Sequence, residues 1–252
     1  YCPRTEEAYV AWIRRYILFH GRRHPRVLGA AEATAFLSHL AGRGASASTQ
    51  NQALSALLFL YQAVMKTELP WLHELVRAQG PARLPPVLSR DEVARLLGQL
   101  HGTVWLMASL LYGAGLRLSE CVELRVKDVH FERGELLVRD GKGGKDRATM
   151  VPRALADPLR RQLAHARVAW QDDRARGAPG VELPGALAVK YPHAGESWGW
   201  FLVFPAAQAS RDPRSGAWRR HHVHEEAIQR GVKRAVRAAG IAKPATTHTL
   251  RH

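Results

Sequence analysis

The chain has 252 residues, and 46% of them are hydrophobic, so it can bury one large core or two ordinary ones and is not a globally disordered protein. Lysine and arginine outnumber the acidic residues by 37 to 22, which gives a net charge of +15 and a pI near 10.7. This surplus favours nucleic acid as the partner over an anionic membrane or a basic surface that is merely solvated.

Three further features restrict the class of protein. The two cysteines, Cys2 and Cys121, are too few and too far apart for a disulfide framework or a zinc site, and we expect both to be reduced in a cytosolic setting. No run of about 18 apolar residues occurs, so no membrane span is predicted. The opening YCPRTEE lacks the basic lead and apolar core of a signal peptide, and without an initiator methionine we expect the sequence to be cut at both ends.

Four helices are predicted in residues 1–80, which together would form one small helical domain. In TEEAYVAWIRRYILFH the apolar residues recur at helical spacing, and Gly21 is expected to end this helix in a left-handed conformation. The predicted buried stripe of the first helix consists of Tyr9, Trp12, Ile13, Tyr16 and Ile17.

The other three helices of this domain are expected near residues 30–40, 49–66 and 71–76. The predicted buried face of the third helix consists of Leu54, Leu57, Leu58, Tyr61 and Val64. A stretch rich in proline and glycine, AQGPARLPPV, follows these helices and predicts a linker at residues 81–88.

Residues 89–252 are predicted to form an α+β domain, so the overall fold class is mainly α with a small β-hairpin. Ser89 and Glu92 have the spacing of a capping box at the start of its first helix. VWLMASLLYGAG is apolar all round and predicts a buried helix, and a short helix follows from about Ser119. ELLVR and RATMVP predict two paired strands that the glycine-rich turn DGKGGKD connects. ALADPLRRQLAHARVAWQDDRAR and VHEEAIQRGVKRAVRAAGI predict two amphipathic helices, the second ended by Gly240.

Several cationic side chains are candidates for contact with a phosphate. Arg117 follows the buried helix and two glycines, so it is either held by rigid surroundings or is a surface arginine at a helix end. Lys142 and Lys145 belong to the hairpin turn, where glycines allow a close approach to DNA and a lysine can donate a proton, although a solvated turn has the same composition. His248 and Arg251 are three residues apart and share one face at a predicted helix start.

A metal site is the alternative role for the histidines. No carboxylate or cysteine stands at ligand spacing from His248, so we expect no metal there. In RRHHVHEE, His221 and His222 follow Arg219 and Arg220, and these cations favour contact with a phosphate or a base over a metal ion. An exposed helix start is the other interpretation of that segment.

Two arginines, a lysine and a histidine together suit phosphoryl transfer without a metal or any other cofactor. Guanidinium groups bind the non-bridging oxygens of a phosphate and neutralise the charge that grows in the transition state. A lysine can protonate the leaving 5′ oxygen, and a histidine can exchange a proton with the attacking group.

The motifs GLRLSE, GKGGKDR and HTLRH, in this order, resemble those of the tyrosine recombinases, and the resemblance extends over nearly the whole chain. It implies that Arg117 and Arg251 are the two catalytic arginines and that Glu120 supports Arg117. It also implies that Lys142 is the hairpin lysine and His248 the histidine of the second motif. A helical domain that clamps DNA, a 3′-phosphotyrosyl intermediate, a homotetramer on two DNA sites and the lack of a cofactor are further implications.

All six tyrosines precede His248, whereas the nucleophilic tyrosine of this family lies several tens of residues beyond the HxxR motif. We therefore expect a sequence cut short, which binds DNA but does not cleave it.

An inserted block at residues 183–223 resembles the one that marks the integron integrases, which act on a duplex integration site and on a cassette site folded from one DNA strand. Aromatic side chains in the block are candidates for stacking on unpaired bases, and simple packing of the block is the alternative. The stacking candidates are Trp198 and Trp200, beside Phe201, Pro192 and His193, and the accompanying contacts are Arg219, Arg220, His221 and His222.

Basic residues elsewhere are expected to make salt-dependent contacts with DNA phosphates, so sequence discrimination should be modest and led by DNA shape. They are Arg14, Arg15, Arg22, Arg23, Lys66 and Lys145. Two alternatives to the integron assignment remain: a Xer-like or phage integrase, and a catalytically inert DNA-binding protein of the same fold. A DNA partner also predicts a cytoplasmic protein associated with the nucleoid.

Overall fold

A computed structural model describes residues 3–67, 78, 85–141, 145–212 and 215–251. The chain divides into two compact units, Tyr1–Arg83 and Leu84–His252, and each has its own hydrophobic core. The expected helix near 71–76, the first half of the expected linker and the hairpin residue Lys142 lie outside the described residues. The protein is mainly helical with small antiparallel sheets, as predicted.

Three helices pack together in the described part of the first unit: α1 (Pro3–Phe19), α2 (Ala30–Gly42) and α3 (Ala47–Phe59). Gly21 follows α1 with φ +66°, the left-handed conformation expected of it. Of the predicted stripe of α1, Trp12 and Tyr16 are buried in the core of this unit and Tyr9 packs against it. Ile13 and Ile17 are only half-buried and lie outside that core cluster.

A π-helical turn, Leu60–Val64, replaces the last turn of the predicted third helix. Its hydrogen bond from the Met65 nitrogen to the Leu60 oxygen spans five residues, so the side chains beyond Leu60 are rotated away from α-helical spacing. Tyr61 remains buried, but Val64 is 59% exposed, and its predicted place in the buried face is wrong.

The buried hydroxyl of Tyr61 joins three segments of the first unit. It lies 3.1 Å from the Tyr16 hydroxyl, 3.0 Å from the Pro25 carbonyl oxygen and 3.1 Å from the Leu28 carbonyl oxygen. Burial raises the pKa of both phenols, so both remain protonated and able to donate.

The helices of the second unit are α4 (Arg90–Gly98), α5 (Gly102–Gly113), α6 (Leu118–Val122), α7 (Ala156–Ala175), α8 (Leu187–Lys190) and α9 (Glu225–Ala238). The predicted capping box of α4 is confirmed, because Ser89 Oγ accepts from the Glu92 nitrogen at 3.2 Å and Glu92 Oε2 accepts from the Ser89 nitrogen at 2.7 Å. Helix α5 lies at the centre of the core, and most of its side chains are buried, as its apolar sequence predicts. None of the described helices is long and apolar enough to cross a bilayer.

The strands of the second unit form two antiparallel sheets. The first sheet has the order β1 (Val129–His130), β2 (Glu135–Gly141), β3 (Lys145–Met150), and it contains the predicted hairpin. The second is a two-stranded ribbon of β4 (Ser210–Arg211) and β5 (Trp218–Arg219), which lies in the inserted block.

Replacement of Tyr61 by Phe is expected to lower the free energy of unfolding of the first unit by about 1–3 kcal/mol, because it leaves buried oxygen atoms without their hydrogen-bond donor. The measurement is urea unfolding followed by circular dichroism. Tyr112→Phe is the control, since this tyrosine is 44% exposed in the other unit and should change the free energy by less than about 0.5 kcal/mol. Equal stability of the two variants would show that the buried hydroxyl contributes nothing.

Candidate active site

Arg117 stands at the junction between α5 and α6, where local packing fixes the backbone. A Cβ atom on Gly113 would lie 2.7 Å from Pro152 Cγ, so only glycine allows the end of α5 to pack this closely there. Gly115 then reverses the chain with φ +64°, and Thr149 Oγ1 of β3 donates to the carbonyl oxygen of the intervening Ala114 at 2.8 Å. Arg117 therefore follows a closely packed turn, and it is also the N-cap residue of α6.

The Glu120 carboxylate is the centre of the cluster around Arg117. Arg117 donates to it twice, from the backbone nitrogen to Oε2 at 2.7 Å and from Nη1 to Oε1 at 2.6 Å. Arg147 of β3 adds a bidentate pair, from Nη1 to Oε1 at 2.7 Å and from Nη2 to Oε2 at 2.7 Å. The structure thus brings together the predicted Arg117 and Glu120 and adds an arginine that the sequence analysis did not assign.

This cluster carries a net positive charge at the surface. The side chain of Glu120 is 7% exposed, whereas those of Arg117 and Arg147 are 32% and 33% exposed. Burial alone would raise the pKa of the carboxyl group, but the hydrogen bonds from Arg147 and Arg117 outweigh it and lower this pKa to about 2. Two guanidinium groups and one carboxylate leave one positive charge that can attract an anion such as a phosphate.

The second predicted motif lies in a 3₁₀ turn at Thr249–Arg251 that packs against α5. Leu250 is buried in the core, and Thr249 Oγ1 accepts from the Thr246 nitrogen at 3.0 Å. These contacts hold the turn, while His248 is exposed and Arg251 is half-buried. Among the predicted hairpin lysines, Lys145 begins β3 with an exposed side chain, and Lys142 is outside the described residues.

Trp198 and Trp200 pack against side chains from outside the inserted block, an arrangement that resembles the packing alternative more than a platform for base stacking. Trp198 lies against Trp170 of α7, with ring centroids 5.9 Å apart, and against Phe201 at 6.1 Å. Lys127 covers the ring of Trp200, with Nζ 2.9 Å from the ring centroid. Both indoles pack against the small apolar cluster around Phe201 and are half-buried.

Arg220 is a structural residue of the block. Its Nε donates to Asp173 Oδ2 at 2.7 Å and its Nη2 to Asp173 Oδ1 at 2.6 Å, and Nη1 donates to the carbonyl oxygens of Ala206 and Ala207, each at 2.8 Å. These hydrogen bonds link the end of the block to α7. Because the Arg220 side chain is only 7% exposed, it is not available for contact with DNA. Arg219 is likewise paired, with Nε 3.4 Å from Oδ2 of the buried Asp212.

The two histidines that follow are half-buried beside the ribbon. His222 Nδ1 lies 2.8 Å from the carbonyl oxygen of Val223, and the backbone of His222 forms an isolated bridge with Pro205. His221 Nε2 is buried and has no hydrogen-bond partner among the described residues.

Trp218 was missed by the sequence analysis. It lies opposite Arg211 in the ribbon and is 64% exposed, in contrast to Trp198 and Trp200. Because β5 has only two residues, no alternation in the sequence marks Trp218 as exposed, and its exposure depends on tertiary packing.

The first unit carries the remaining predicted DNA contacts. Arg14 and Arg15 lie on the exposed side of α1, and the Arg15 guanidinium carbon is 4.8 Å from the ring centroid of Trp12. Within the part of the chain that the structure describes, no three histidine, cysteine, aspartate or glutamate side chains are grouped to hold a metal ion.

Comparisons with known proteins match both units. Residues 1–71 match the profile described as "Phage integrase, N-terminal SAM-like domain", and residues 86–252 match the "Phage integrase family". An "Integrase/recombinase" of Escherichia coli and one of Pseudomonas aeruginosa are each 56% identical over 253 residues, which cover all of this chain and 75% of theirs. "Tyrosine recombinase XerD" of Agrobacterium fabrum is 30% identical over 93% of this chain and 70% of its own.

Several solved structures of similar fold are complexes with DNA. The post-cleavage complex of the XerH recombinase with a palindromic difH substrate has a TM-score of 0.63 and 19% identity, and covers 98% of this chain and 66% of that chain. A lambda integrase dimer on a COC′ core site has a TM-score of 0.61 and 17% identity, and the match covers 100% of this chain and 78% of that chain. A lambda integrase tetramer on a Holliday junction has a TM-score of 0.60 and 16% identity, and the match covers 100% of this chain and 63% of that chain. At this level of identity the likeness establishes the fold.

Glu120→Gln is expected to remove part of the acid sensitivity of the protein. The carboxyl pKa is lowered in the folded state, so its stabilisation is complete above its ordinary value of 4.5 and is lost as the pH falls towards about 2. Between pH 5 and pH 3 the parent protein should lose about 2 kcal/mol of unfolding free energy more than the variant. Urea unfolding at the two pH values measures the difference, and an identical loss in both proteins would contradict the assigned pKa.

Proposed function

Because this chain belongs to the phage integrase family, that of the tyrosine recombinases, we propose that it acts in site-specific recombination by breaking and rejoining DNA at a phosphate. The observation that carries the proposal is the positive cluster that Arg117, at the end of a closely packed turn, forms with Glu120 of α6 and Arg147 of β3. The net charge of +15 and the DNA complexes formed by XerH and lambda integrase support DNA as the partner.

In this proposal the cations of the second unit bind the scissile phosphate. Arg117 and Arg251 donate to its non-bridging oxygens and neutralise the charge of the transition state. A tyrosine attacks the phosphorus, and His248 exchanges a proton with it. Lys142 protonates the leaving 5′ oxygen. The 3′-phosphotyrosyl link preserves the energy of the phosphodiester bond, so the reaction requires no metal, nucleotide or other cofactor.

The first unit has the role of a second DNA-binding surface. Arg14, Arg15 and the other basic residues of this unit contact phosphates without reading bases. Recombination joins two DNA sites, and lambda integrase forms a tetramer on a Holliday junction. We therefore propose a homotetramer on DNA as the active assembly, associated with the bacterial nucleoid.

Arg117→Ala is expected to slow the formation of a covalent protein–DNA adduct by about 100-fold or more, because one cation that stabilises the transition state is removed. The assay uses the protein expressed from the complete open reading frame and a nicked DNA site that traps the adduct on a denaturing gel. Arg160→Ala is the control, since Arg160 is 54% exposed and its ion pair is with Asp157 on the surface. A parent protein that binds DNA but forms no adduct would favour the inert DNA-binding alternative.

Within this class, we propose an enzyme of the integron type, which recombines a duplex site with a cassette site folded from a single strand. The support is the inserted block, with its ribbon and with aromatic residues that pack in an apolar cluster shared with α7. A folded strand presents unpaired bases, and an exposed indole flanked by a cation can stack on them. Trp218, with Arg211 opposite, has this exposure, so we assign stacking to Trp218 in place of Trp198 and Trp200. His221 and His222 flank the ribbon and remain candidates for base or backbone contact.

The test compares the affinity of the chain for the two folded strands of a cassette site and for duplex DNA, by fluorescence anisotropy. One folded strand should bind at least about tenfold more tightly than its complement, and Trp218→Ala should weaken that binding by about 5-fold or more, because a stacked base contributes about 1–3 kcal/mol. Val189→Ala is the control, since Val189 is 84% exposed in the same block but has no ring. Equal affinity for both strands, or preference for the duplex, would favour a Xer-like or phage integrase.

A further inference from the structure

Arg147 is bound to the same carboxylate as Arg117 but uses its donors differently. Arg147 directs both Nη1 and Nη2 at Glu120 in a bidentate pair. The Arg117 side chain gives Glu120 its Nη1 alone, and the second bond comes from the Arg117 backbone nitrogen. Among the described residues this leaves Arg117 Nε and Nη2 for an incoming phosphate, while the fork of Arg147 is committed to the protein.

From this division we infer that Arg147 is a positioning residue of the active site, which holds the Glu120 carboxylate so that Arg117 presents its free donors to the scissile phosphate. The inference rests on the proposed function, since it assumes that Arg117 meets the phosphate. It adds to the site a residue to which the motif comparison gave no role.

Strand β3 gives Arg147 the means to act in this way. Arg147 and Thr149 are two residues apart and therefore project from the same face of the strand. Arg147 holds the carboxylate that follows Arg117, and Thr149 holds the Ala114 carbonyl that precedes it. The paired residues opposite them on β2, Val138 and Leu136, are buried in the core, so the strand that orients Arg117 is itself fixed.

Competition for Arg117 is the reason that this arrangement matters for catalysis. A carboxylate and a guanidinium group prefer a bidentate pair. Without Arg147, each oxygen of Glu120 would keep one hydrogen bond from Arg117 and could accept another. The Arg117 side chain could then turn a second donor towards Glu120 and away from the phosphate. A lysine at position 147 would keep the positive charge but could not bridge the two oxygens in the fixed geometry of a guanidinium fork.

The experiment measures DNA affinity and the single-turnover rate of adduct formation at saturating DNA, in the protein expressed from the complete open reading frame. Arg147→Lys should slow the chemical step by about 10-fold and Arg147→Ala by about 100-fold, the range that misplacement of a catalytic group costs. For Arg147→Lys, which keeps the positive charge, the dissociation constant should change by less than about 3-fold, because Arg147 acts on the step that follows binding. Arg147→Ala also removes the positive charge that the cluster has in excess of Glu120, so its affinity should fall, and its rate at saturating DNA reports the positioning effect.

Arg139→Lys is the matched control on the same hairpin. Arg139 also forms a close ion pair with a buried carboxylate, 2.7 Å from Asp128, but this carboxylate does not hold Arg117. Its rate constant should stay within about 2-fold of the parent. Thermal unfolding of each variant checks that the rates refer to folded protein. If Arg147→Ala unfolds below the assay temperature, the test rests on Arg147→Lys, with the expected slowing of the chemical step by about 10-fold.

A double-mutant comparison tests whether Arg147 acts through Arg117. In an Arg117→Ala protein, the further change of Arg147 to Lys should slow the reaction by less than about 2-fold, because the residue that it positions is gone. The inference is overturned if Arg147→Lys slows the reaction as much in the Arg117→Ala protein as in the parent. It is also overturned if the Arg147 variants react at the parent's rate, or if they change only the affinity for DNA. A parent protein that forms no adduct at all would instead refute the proposed function and leave the geometry of Arg147 unaffected.

Discussion

The structure of the site depends on the charge balance at Glu120. A carboxylate that is 7% exposed must be compensated, and four hydrogen bonds from two arginines provide this. The same bonds join the start of α6 to β3, so two segments that are 27 residues apart meet at one group. Because the two arginines outnumber the carboxylate, the junction that holds these segments together is also the place where positive charge reaches the surface.

Features that depend on neighbouring residues could be predicted from the sequence. The capping box of Ser89 and Glu92 and the buried helix α5 follow from local spacing and from uniform hydrophobicity. Val64 was placed wrongly because a π-helical turn changes the angular spacing of residues, and nothing in the apolar pattern marks such a turn. The partners of Trp198 and Trp200 come from distant segments, α7 and Lys127, so their packing could not be derived from the block itself.

The candidate site was predicted in part. Glu120 and Arg117 are one helical turn apart, so their contact follows from the spacing of the chain. Arg147 stands in the motif GKGGKDR, but its contact with Glu120 depends on how the hairpin packs against α6, which the sequence does not specify. The net charge of +15 was the least specific feature of the sequence. It indicates the class of partner, but it does not distinguish the cations that contact DNA from those that stabilise the fold.

The ratio of cations to carboxylates makes that distinction in the second unit. Arg220 and Asp173 form a one-to-one pair with side chains 7% and 9% exposed, and such a buried neutral pair has no charge left to attract DNA. Arg117 and Arg147 share one carboxylate, and about a third of each side chain is exposed. A structural arginine needs only a partner that cancels its charge. An arginine that must keep a fixed direction and also present positive charge needs two partners. For Arg117, the Glu120 carboxylate fixes the direction of the side chain, and Arg147 restores the positive charge that this carboxylate cancels.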